Sequence, residues 1–247
     1  MSFKYSLNIT QESHKEFLLN IKDSFAQHNS TIHKARNELK IITNAEVDTV
    51  VKAFKVPNII NQIAYSYFRD SKAKKSYEYS LKIGDFTPTP IGYIEFYSST
   101  LLQQSYFISE KFEYDFTIRE PLLDANFEDR EEIFKAFARF SLQLHNTGIF
   151  HDDYSPGNIL IKRENSAFVF KIVDINRMGF FELSLRDRAK NFSKLWASDE
   201  ILKIIAQEYL NNYSADESFI EEVLYYSNKN KKIKNFKKRL KGKEVKD

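Results

Sequence analysis

The stretch that most limits what this chain can become is Ile149-Phe150-His151-Asp152-Asp153-Tyr154-Ser155-Pro156-Gly157-Asn158-Ile159-Leu160-Ile161. An apolar pair opens it, three apolar β-formers close it, and the polar loop between them holds one His, two Asp and one Asn. A second apolar strand, Phe168-Val169-Phe170-Lys171-Ile172-Val173, leads to another carboxylate, Asp174, sixteen residues beyond Asn158. Short runs of β-formers of this kind read as buried strands. A loop so polar between two such strands must use its side chains, because burying polar groups without partners is costly. The remainder of the chain has to fold so as to hold this strand–loop–strand unit.

Composition sets the outer limits. At 247 residues, with 42% apolar residues, the chain has enough material for one large domain or two lobes around a real core. No run approaches the roughly 18–20 apolar residues of a transmembrane helix. The start, Met1-Ser2-Phe3-Lys4-Tyr5, lacks the charged lead and apolar core of a secretory signal. There are no cysteines, which excludes disulfide frameworks and thiolate metal sites and fits a cytoplasmic address. Five His argue against a zinc centre.

Residues 1–56 read mainly as an antiparallel meander. Its strands are Glu16-Phe17-Leu18-Leu19-Asn20-Ile21, residues 35–42 and residues 47–54, with polar breaks such as Gln27-His28-Asn29-Ser30. Pro57 suits a first helical turn, and Ile59, Ile60, Ile63, Ala64, Tyr67 and Phe68 recur at helical spacing. Residues 58–82 therefore predict one helix, or two broken near Asp70-Ser71, stopping at Gly84. Strands over residues 91–97 and 104–109 follow, then a connector, Glu110-Lys111-Phe112-Glu113-Tyr114. Asn126 or Asp129 is placed to cap a helix with the stripe Ile133, Phe134, Phe137, Phe140 and Leu144, ended by Gly148. Beyond Asp174 the chain reads as helices over roughly 184–198, 199–213 and 216–226. The fold class is α+β with two lobes, a β-rich N-terminal lobe with one helical segment and a helix-rich C-terminal lobe. The boundaries are 1–110 for the N-terminal lobe, 111–227 for the C-terminal catalytic lobe and 228–247 for a basic tail.

The loop has the residue types that phosphoryl transfer from ATP requires: oxygen ligands for magnesium, a cation for the phosphates and a base for the acceptor hydroxyl. Asn158 and Asp174 offer one amide oxygen and one carboxylate to the metal. Asp153 is free to take a hydroxyl proton, and His151 braces the loop by hydrogen bonding. Lys52, on one face of the 47–54 strand with Val50, would reach the phosphates, with Glu78 holding it. The plain alternatives are a Lys52 that runs out to solvent and a helical Glu78 that pairs with Lys74 or Lys82, four residues away on either side. Lys55 is a fallback for Lys52 on the opposite strand face.

On these residues the chain resembles the protein-kinase-like superfamily. More closely, it is similar to the bacterial lipopolysaccharide core kinases, which phosphorylate Kdo or heptose sugars of the inner core. The resemblance rests on Val50-Val51-Lys52-Ala53-Phe54-Lys55-Val56-Pro57, on Lys72-Ala73-Lys74-Lys75-Ser76-Tyr77-Glu78-Tyr79, on the loop, and on Val173-Asp174-Ile175-Asn176-Arg177. It covers about residues 30–195. It implies ATP and Mg2+ as cofactors, Lys52, Glu78, Glu110 and Phe112 as the ATP-binding set, Asp153 with His151 as the catalytic pair, and Asn158 with Asp174 as metal ligands. It also implies a sugar or glycolipid acceptor.

Three departures separate the chain from conventional protein kinases. No glycine precedes Gly84, so Gln27-His28-Asn29-Ser30-Thr31 would have to cover the phosphates. Asp152 stands where protein kinases carry Arg, which removes the reader of a phosphorylated activation loop. Asp174-Ile175-Asn176 replaces Asp-Phe-Gly, and no Ala-Pro-Glu follows. Two other readings stay open: an atypical protein kinase similar to the Rio group, and a pseudokinase scaffold without transfer activity.

The tail is a separate signal. From Asn228 to Asp247 ten Lys/Arg face two acids, a local +8 that leaves −5 for the rest of a chain whose net charge is +3. Ile233, Phe236 and Leu240 are spaced three and four apart among these cations, the pattern of a basic amphipathic helix. Such a helix suits an anionic membrane surface and a peripheral place on the inner membrane; the plain alternative is a solvated, partly disordered tail with no specific role. Nucleic acid is disfavoured, because one Phe offers little stacking surface and the body is acidic.

Overall fold

The chain opens with a strand that the sequence pattern did not announce, β1 (Ser2–Leu7), then a 3-10 turn (Ile9–His14) and two short helices, α1 (Lys15–Leu19) and α2 (Ile21–Gln27). The computed structural model describes residues 2–29, 31–34, 37–55, 58–165 and 167–242, with the backbone alone for 32–34. The strand expected over residues 16–21 is therefore corrected to helix. Phe17, Leu18, Ile21 and Phe25 lie at i, i+1, i+4 and i+8, one helical face, and all four are buried in one core. β-Propensity in so short a run yields to that burial. Lys40 fixes the end of α2: its ammonium is buried, donates to the carbonyls of Phe25 and His28 at 2.6 and 2.7 Å, and sits over the Phe25 ring.

β2 (Thr31–Lys34), β3 (Glu38–Asn44) and β4 (Val47–Phe54) form an antiparallel meander. Beyond the helices α3 (Ile59–Tyr67) and α4 (Lys72–Ile83) comes the hairpin of β5 (Pro90–Ser98) and β6 (Leu101–Glu110). These strands join one sheet in the order β1-β5-β6-β4-β3-β2. The strands expected at 35–42, 47–54, 91–97 and 104–109 correspond to β3, β4, β5 and β6. Ser30, Ala35, Arg36, Val56 and Pro57 lie outside the described residues, and with them the expected first-turn proline. The break near Asp70-Ser71 is present, because the Ser71 side chain accepts the Lys74 N–H and starts α4 afresh.

Alternation along the strands assigns the two faces of this sheet. α1 and α2 press against Ile42, Val51, Ile94, Phe96, Tyr106 and Ile108 on one side. α4 covers the other with Ala73 and Tyr77 against Phe54 and Tyr93. Gly92 is required where β1 meets β5, since a Cβ there would come within 2.7 Å of the Ser6 carbonyl oxygen.

Two compact units divide the chain. The first holds the described residues up to Glu113 together with Asp174–Asn176; the second holds Tyr114–Val173 and the described residues from Arg177 onward. In the second unit follow β7 (Phe116–Thr117), α5 (Arg119–Leu123), α6 (Arg130–Asn146), β8 (Ile149–His151), β9 (Ile159–Glu164), β10 (Ala167–Ile172) and β11 (Met178–Phe180). Three further helices complete it: α7 (Leu185–Asn191), α8 (Asp199–Asn211) and α9 (Ser218–Arg239). The expected α6 stripe is buried throughout, and α6 packs on α8. Neither Asn126 nor Asp129 supplies its side-chain cap. Asp129 precedes α6 in the left-handed region, and its carboxylate takes Arg163 at 2.5 Å instead. Gly148 follows α6 at φ 74°, where a Cβ would meet the Phe181 carbonyl oxygen at 2.8 Å.

Two C-terminal expectations change length. The helix expected over 184–198 ends at Asn191, continues as a 3-10 turn (Phe192–Lys194), and is turned away by Trp196 at φ 59°. The helix expected over 216–226 runs instead to Arg239, so the basic segment continues α9. Phe219 and Val223 bury its first turns, and Asn230 and Lys231 donate to the carbonyls of Ser193 and Ala197 at 2.8 and 2.7 Å. Residues 243–247 of the expected tail lie outside the described residues.

Candidate active site

In the second unit, β8 delivers His151 into the core with no exposed surface. The Asp153 N–H donates to His151 Nδ1 at 3.0 Å, so that nitrogen carries no proton. Nε2 must then be the protonated nitrogen, and it donates to the Val173 carbonyl at 3.0 Å. The imidazole is thus neutral, in one tautomer, tying the loop to the strand that leads to Asp174. Tyr154 is equally buried: its hydroxyl meets Ser141 at 2.9 Å and its ring packs against Phe137 and His151. The one bulky ring in the polar loop is its anchor.

The Asp153 carbonyl is held from the other side. Ser155 N–H and Asn158 Nδ2 both donate to it, at 2.7 and 2.9 Å. With its backbone fixed at both ends, the half-buried Asp153 carboxylate makes no hydrogen bond or ion pair among the described residues. Committing Asn158 Nδ2 in this way leaves Oδ1 as the acceptor of the amide. The Asn158 carbonyl accepts from Val173 N–H at 2.9 Å, so the residue before Asp174 is pinned to the loop as well.

A buried chain of donors behind the loop has one consistent direction. Arg188 donates to the Tyr209 hydroxyl at 2.9 Å, Tyr209 to His145 Nδ1 at 3.0 Å, and His145 Nε2 to Asn191 Oδ1 at 3.1 Å. Asn191 Nδ2 then donates to the His151 carbonyl at 2.8 Å. Burial lowers the His145 pKa to about 3, so the ring stays neutral, as the chain requires. Lys194 donates to the Asp152 carbonyl and faces its carboxylate at 3.6 Å. Sequence reasoning missed Asn191, His145, Tyr209, Arg188 and Lys194. The only signal was a polar residue on the buried stripe of α6, His145 four positions after Ser141.

In the first unit, Lys52 on β4 is 13% exposed and donates to Asp174 Oδ1 at 2.5 Å. Asn176 Nδ2 donates to the same oxygen at 2.7 Å. Asp174 sits at φ 58°, a left-handed conformation that Asp tolerates better than most residues. Lys52 and Asp174 thus come together, whereas the expected Lys52–Glu78 pair is not formed. α4 turns Ala73, Ser76, Tyr77, Ser80 and Ile83 inward, which leaves Glu78 on its outer side, 3.7 Å from Lys74. The plain alternative for Glu78 is what the structure adopts. Lys55 is exposed on the far face. Glu110 uses its N–H on the Thr89 carbonyl and its carboxylate on Gln11 Nε2 at 2.6 Å, and Phe112 follows β6 half-buried.

A sheet carrying a part-buried lysine on an aspartate, with a helical unit carrying a braced His-x-Asp-x-x-x-x-Asn loop, defines a phosphotransferase of the protein-kinase-like type. Comparison with solved structures agrees on the fold. The structure described as "WaaP in complex with acyl carrier protein" superposes with a TM-score of 0.61 at 15% identity, covering 93% of this chain and 99% of that one. The lipopolysaccharide kinase (Kdo/WaaP) family model matches residues 82–214, more than half of the chain. The chain belongs to that family and is, with it, a kinase of lipopolysaccharide core sugar that uses ATP. The matched stretch includes Glu110, Phe112, the loop and Asp174; Lys52 and Glu78 precede it. No match is found among curated proteins.

Proposed function

We propose that Asp153 is the base that receives the proton of a Kdo or heptose hydroxyl in the lipopolysaccharide inner core, as that oxygen bonds to the γ-phosphorus of ATP and ADP leaves. The observation that carries this reading is the state of Asp153. Its backbone is fixed by His151 and Asn158 while its carboxylate stays unengaged among the described residues. A base held in this way keeps its geometry through the transfer.

Lys52 would neutralise the nucleotide phosphates, and Glu110 and Phe112 would border the nucleotide. Asn158 Oδ1 and the Asp174 carboxylate, one amide and one acid, are the donor types magnesium takes, and they would hold it, with phosphates and water as its other ligands. Among the described residues no group of three or more His, Cys, Asp or Glu is placed to hold a metal ion. When bound, magnesium supplies charge neutralisation across the phosphates. His151 acts by holding the loop and not by titrating, since both its nitrogens are committed.

The basic part of α9 supports an acceptor at the cytoplasmic membrane face. Ile233, Phe236 and Leu240 are exposed along a helix that carries cations on either side, and each Lys/Arg close to an anionic surface contributes up to about 1 kcal/mol. Among the described residues no helix is long and apolar enough to cross a membrane.

The test is transfer of label from radioactive ATP, with magnesium, to deacylated lipopolysaccharide core, comparing wild type with Asp153→Asn. Label in the sugar that vanishes in the variant is expected. Label in protein alone would mark a protein kinase, and no transfer with ATP bound would mark a pseudokinase.

A further inference from the structure

α3 is a helix without a core. Ile59, Ile60, Ile63 and Tyr67 share one face at i, i+1, i+4 and i+8, and Phe68 follows. All five are exposed, Ile60 to 74% and Phe68 to 80%, and no residue of α3 is buried. The helix is nonetheless built. Asn58 caps it through the Asn61 N–H, Leu102 N–H donates to Ser66 at 3.0 Å, and Tyr67 donates to Thr100 at 2.6 Å. The last two bonds tie Ser66 and the Tyr67 hydroxyl to the β5–β6 hairpin, and Ile59, Ile60, Ile63, Phe68 and the Tyr67 ring stay exposed. A nine-residue helix is marginal in water, so a face of this size wants cover.

Beside it lies a cavity of about 440 Å3 whose wall includes Tyr67 and Phe68. Its charged lining is Lys4, Arg69, Lys74 and Lys75 against Asp70 and Glu95. Asp70 is committed to Lys74 at 2.6 Å, and the buried Glu95 carboxylate accepts from the Tyr97 hydroxyl at 2.8 Å. The cavity therefore keeps an excess of cations. From Asn58 to Phe68 there is no charge at all. An uncharged apolar ridge next to a cationic hollow has the polarity of an anionic amphiphile, with the apolar part on the helix and the anionic group in the cavity.

We propose that α3 and this cavity form a lipid-facing surface: the Ile59–Tyr67 helix enters the acyl boundary of a bilayer, and the cavity takes the phosphate of an anionic phospholipid headgroup. This contact is separate from the basic part of α9. Its use in bringing the enzyme to a membrane glycolipid rests on the reading above, whereas lipid binding itself does not.

Full-length protein is sedimented with vesicles of phosphatidylcholine alone or mixed with phosphatidylglycerol. It is compared with the double variant Ile60→Asp/Phe68→Asp, with Arg69→Glu/Lys75→Glu, and with a control reversed in α9 (Lys237→Glu/Lys238→Glu). Circular dichroism confirms folding, and transfer to soluble deacylated core monitors the kinase. Both α3-side variants are expected to lose at least about tenfold in binding to the mixed vesicles. Those losses should persist in the α9-reversed background, with transfer to soluble acceptor unchanged. Wild-type binding unaffected by Ile60→Asp/Phe68→Asp would overturn the proposal, as would equal binding to both vesicle types. A concentration-dependent dimer that this variant abolishes would also overturn it, because the face would then cover a second copy. Loss of transfer to the soluble acceptor in wild type would strike the kinase reading and leave this one standing.

Discussion

Lys52 Nζ lies 2.5 Å from Asp174 Oδ1, an ion pair made where β4 meets the Asp174–Asn176 segment within the first unit. The lysine that would meet the phosphates is thus paired with the carboxylate that would meet the metal, and Glu78 stands apart with Lys74. Lys52→Ala and Asp174→Asn are each expected to lower kcat by about a hundredfold or more, as losses of electrostatic stabilisation do. Glu78→Gln should stay within about threefold of wild type, because an exposed helical pair contributes little. Steady-state kinetics on deacylated core separates the two. A Glu78 variant as damaged as Lys52→Ala would show that turnover passes through another arrangement.

Asp153→Asn keeps the N–H to His151 Nδ1 and the carbonyl bonds to Ser155 and Asn158, and removes only the base. The expected loss is about 10²–10⁴-fold in kcat, with nucleotide binding preserved when measured by fluorescence or calorimetry. A parallel loss of nucleotide affinity would assign the residue to binding.

Asn158→Ala removes both the amide oxygen and the Nδ2 bond to the Asp153 carbonyl. Its signature is a raised magnesium requirement together with a lowered kcat. Saturating magnesium should recover part of the rate and not all of it, since excess metal offsets the weakened affinity by mass action but does not restore the brace. Full recovery would show that the bond to Asp153 is dispensable.

His145 gives the second unit a defined response to acid. Its folded pKa, about 3, lies below the ordinary value of 6.5, so the unfolded chain binds the extra proton first. The stability it contributes is complete above about pH 6.5 and falls as pH drops toward 3, by at most about 1.4 kcal/mol per pH unit. Urea unfolding at stepped pH should show this slope, and His145→Asn should flatten it while lowering stability at pH 7. Asn191→Ala, which cuts the same chain at its contact with His151, is expected to cost about 1–3 kcal/mol and to lower kcat with KM unchanged. A rescue of kcat by Asn191→Gln would mark a geometric role for the amide.

Much of the candidate loop's arrangement was legible because its parts are local. His151, Asp153 and Asn158 sit within eight residues, and β8, β9 and β10 follow directly from apolar runs. α6 was readable because five large side chains repeat at helical spacing. Residues 16–21 misled because Phe17, Leu18 and Ile21 suit a strand as well as a helix, and only their joint burial with Phe25 decides. The position of Glu78 was hidden for a different reason. Helical position gives a residue's order along the chain, but the face that α4 turns inward is set by Tyr77 meeting Tyr93 and Phe54, contacts with no local trace. The Arg188-to-Asn191 chain was invisible, since its members converge from α6, α7 and α8.

The segment 191–197 has one more property. Asn191 and Lys194 hold the carbonyls of His151 and Asp152, and the carbonyls of Ser193 and Ala197 are held by Asn230 and Lys231. Seven residues of backbone are therefore stitched to the 151–158 loop along one seam and to α9 along the other. The last helix is a strut as much as an appendage, about 33 Å long and rooted beside the strip that holds the 151–158 loop. Its outer part leaves Ile233 and Phe236 exposed. Its hold on the strip lies at Asn230 and Lys231, and unpicking these two loosens the same strip that keeps His151 in place.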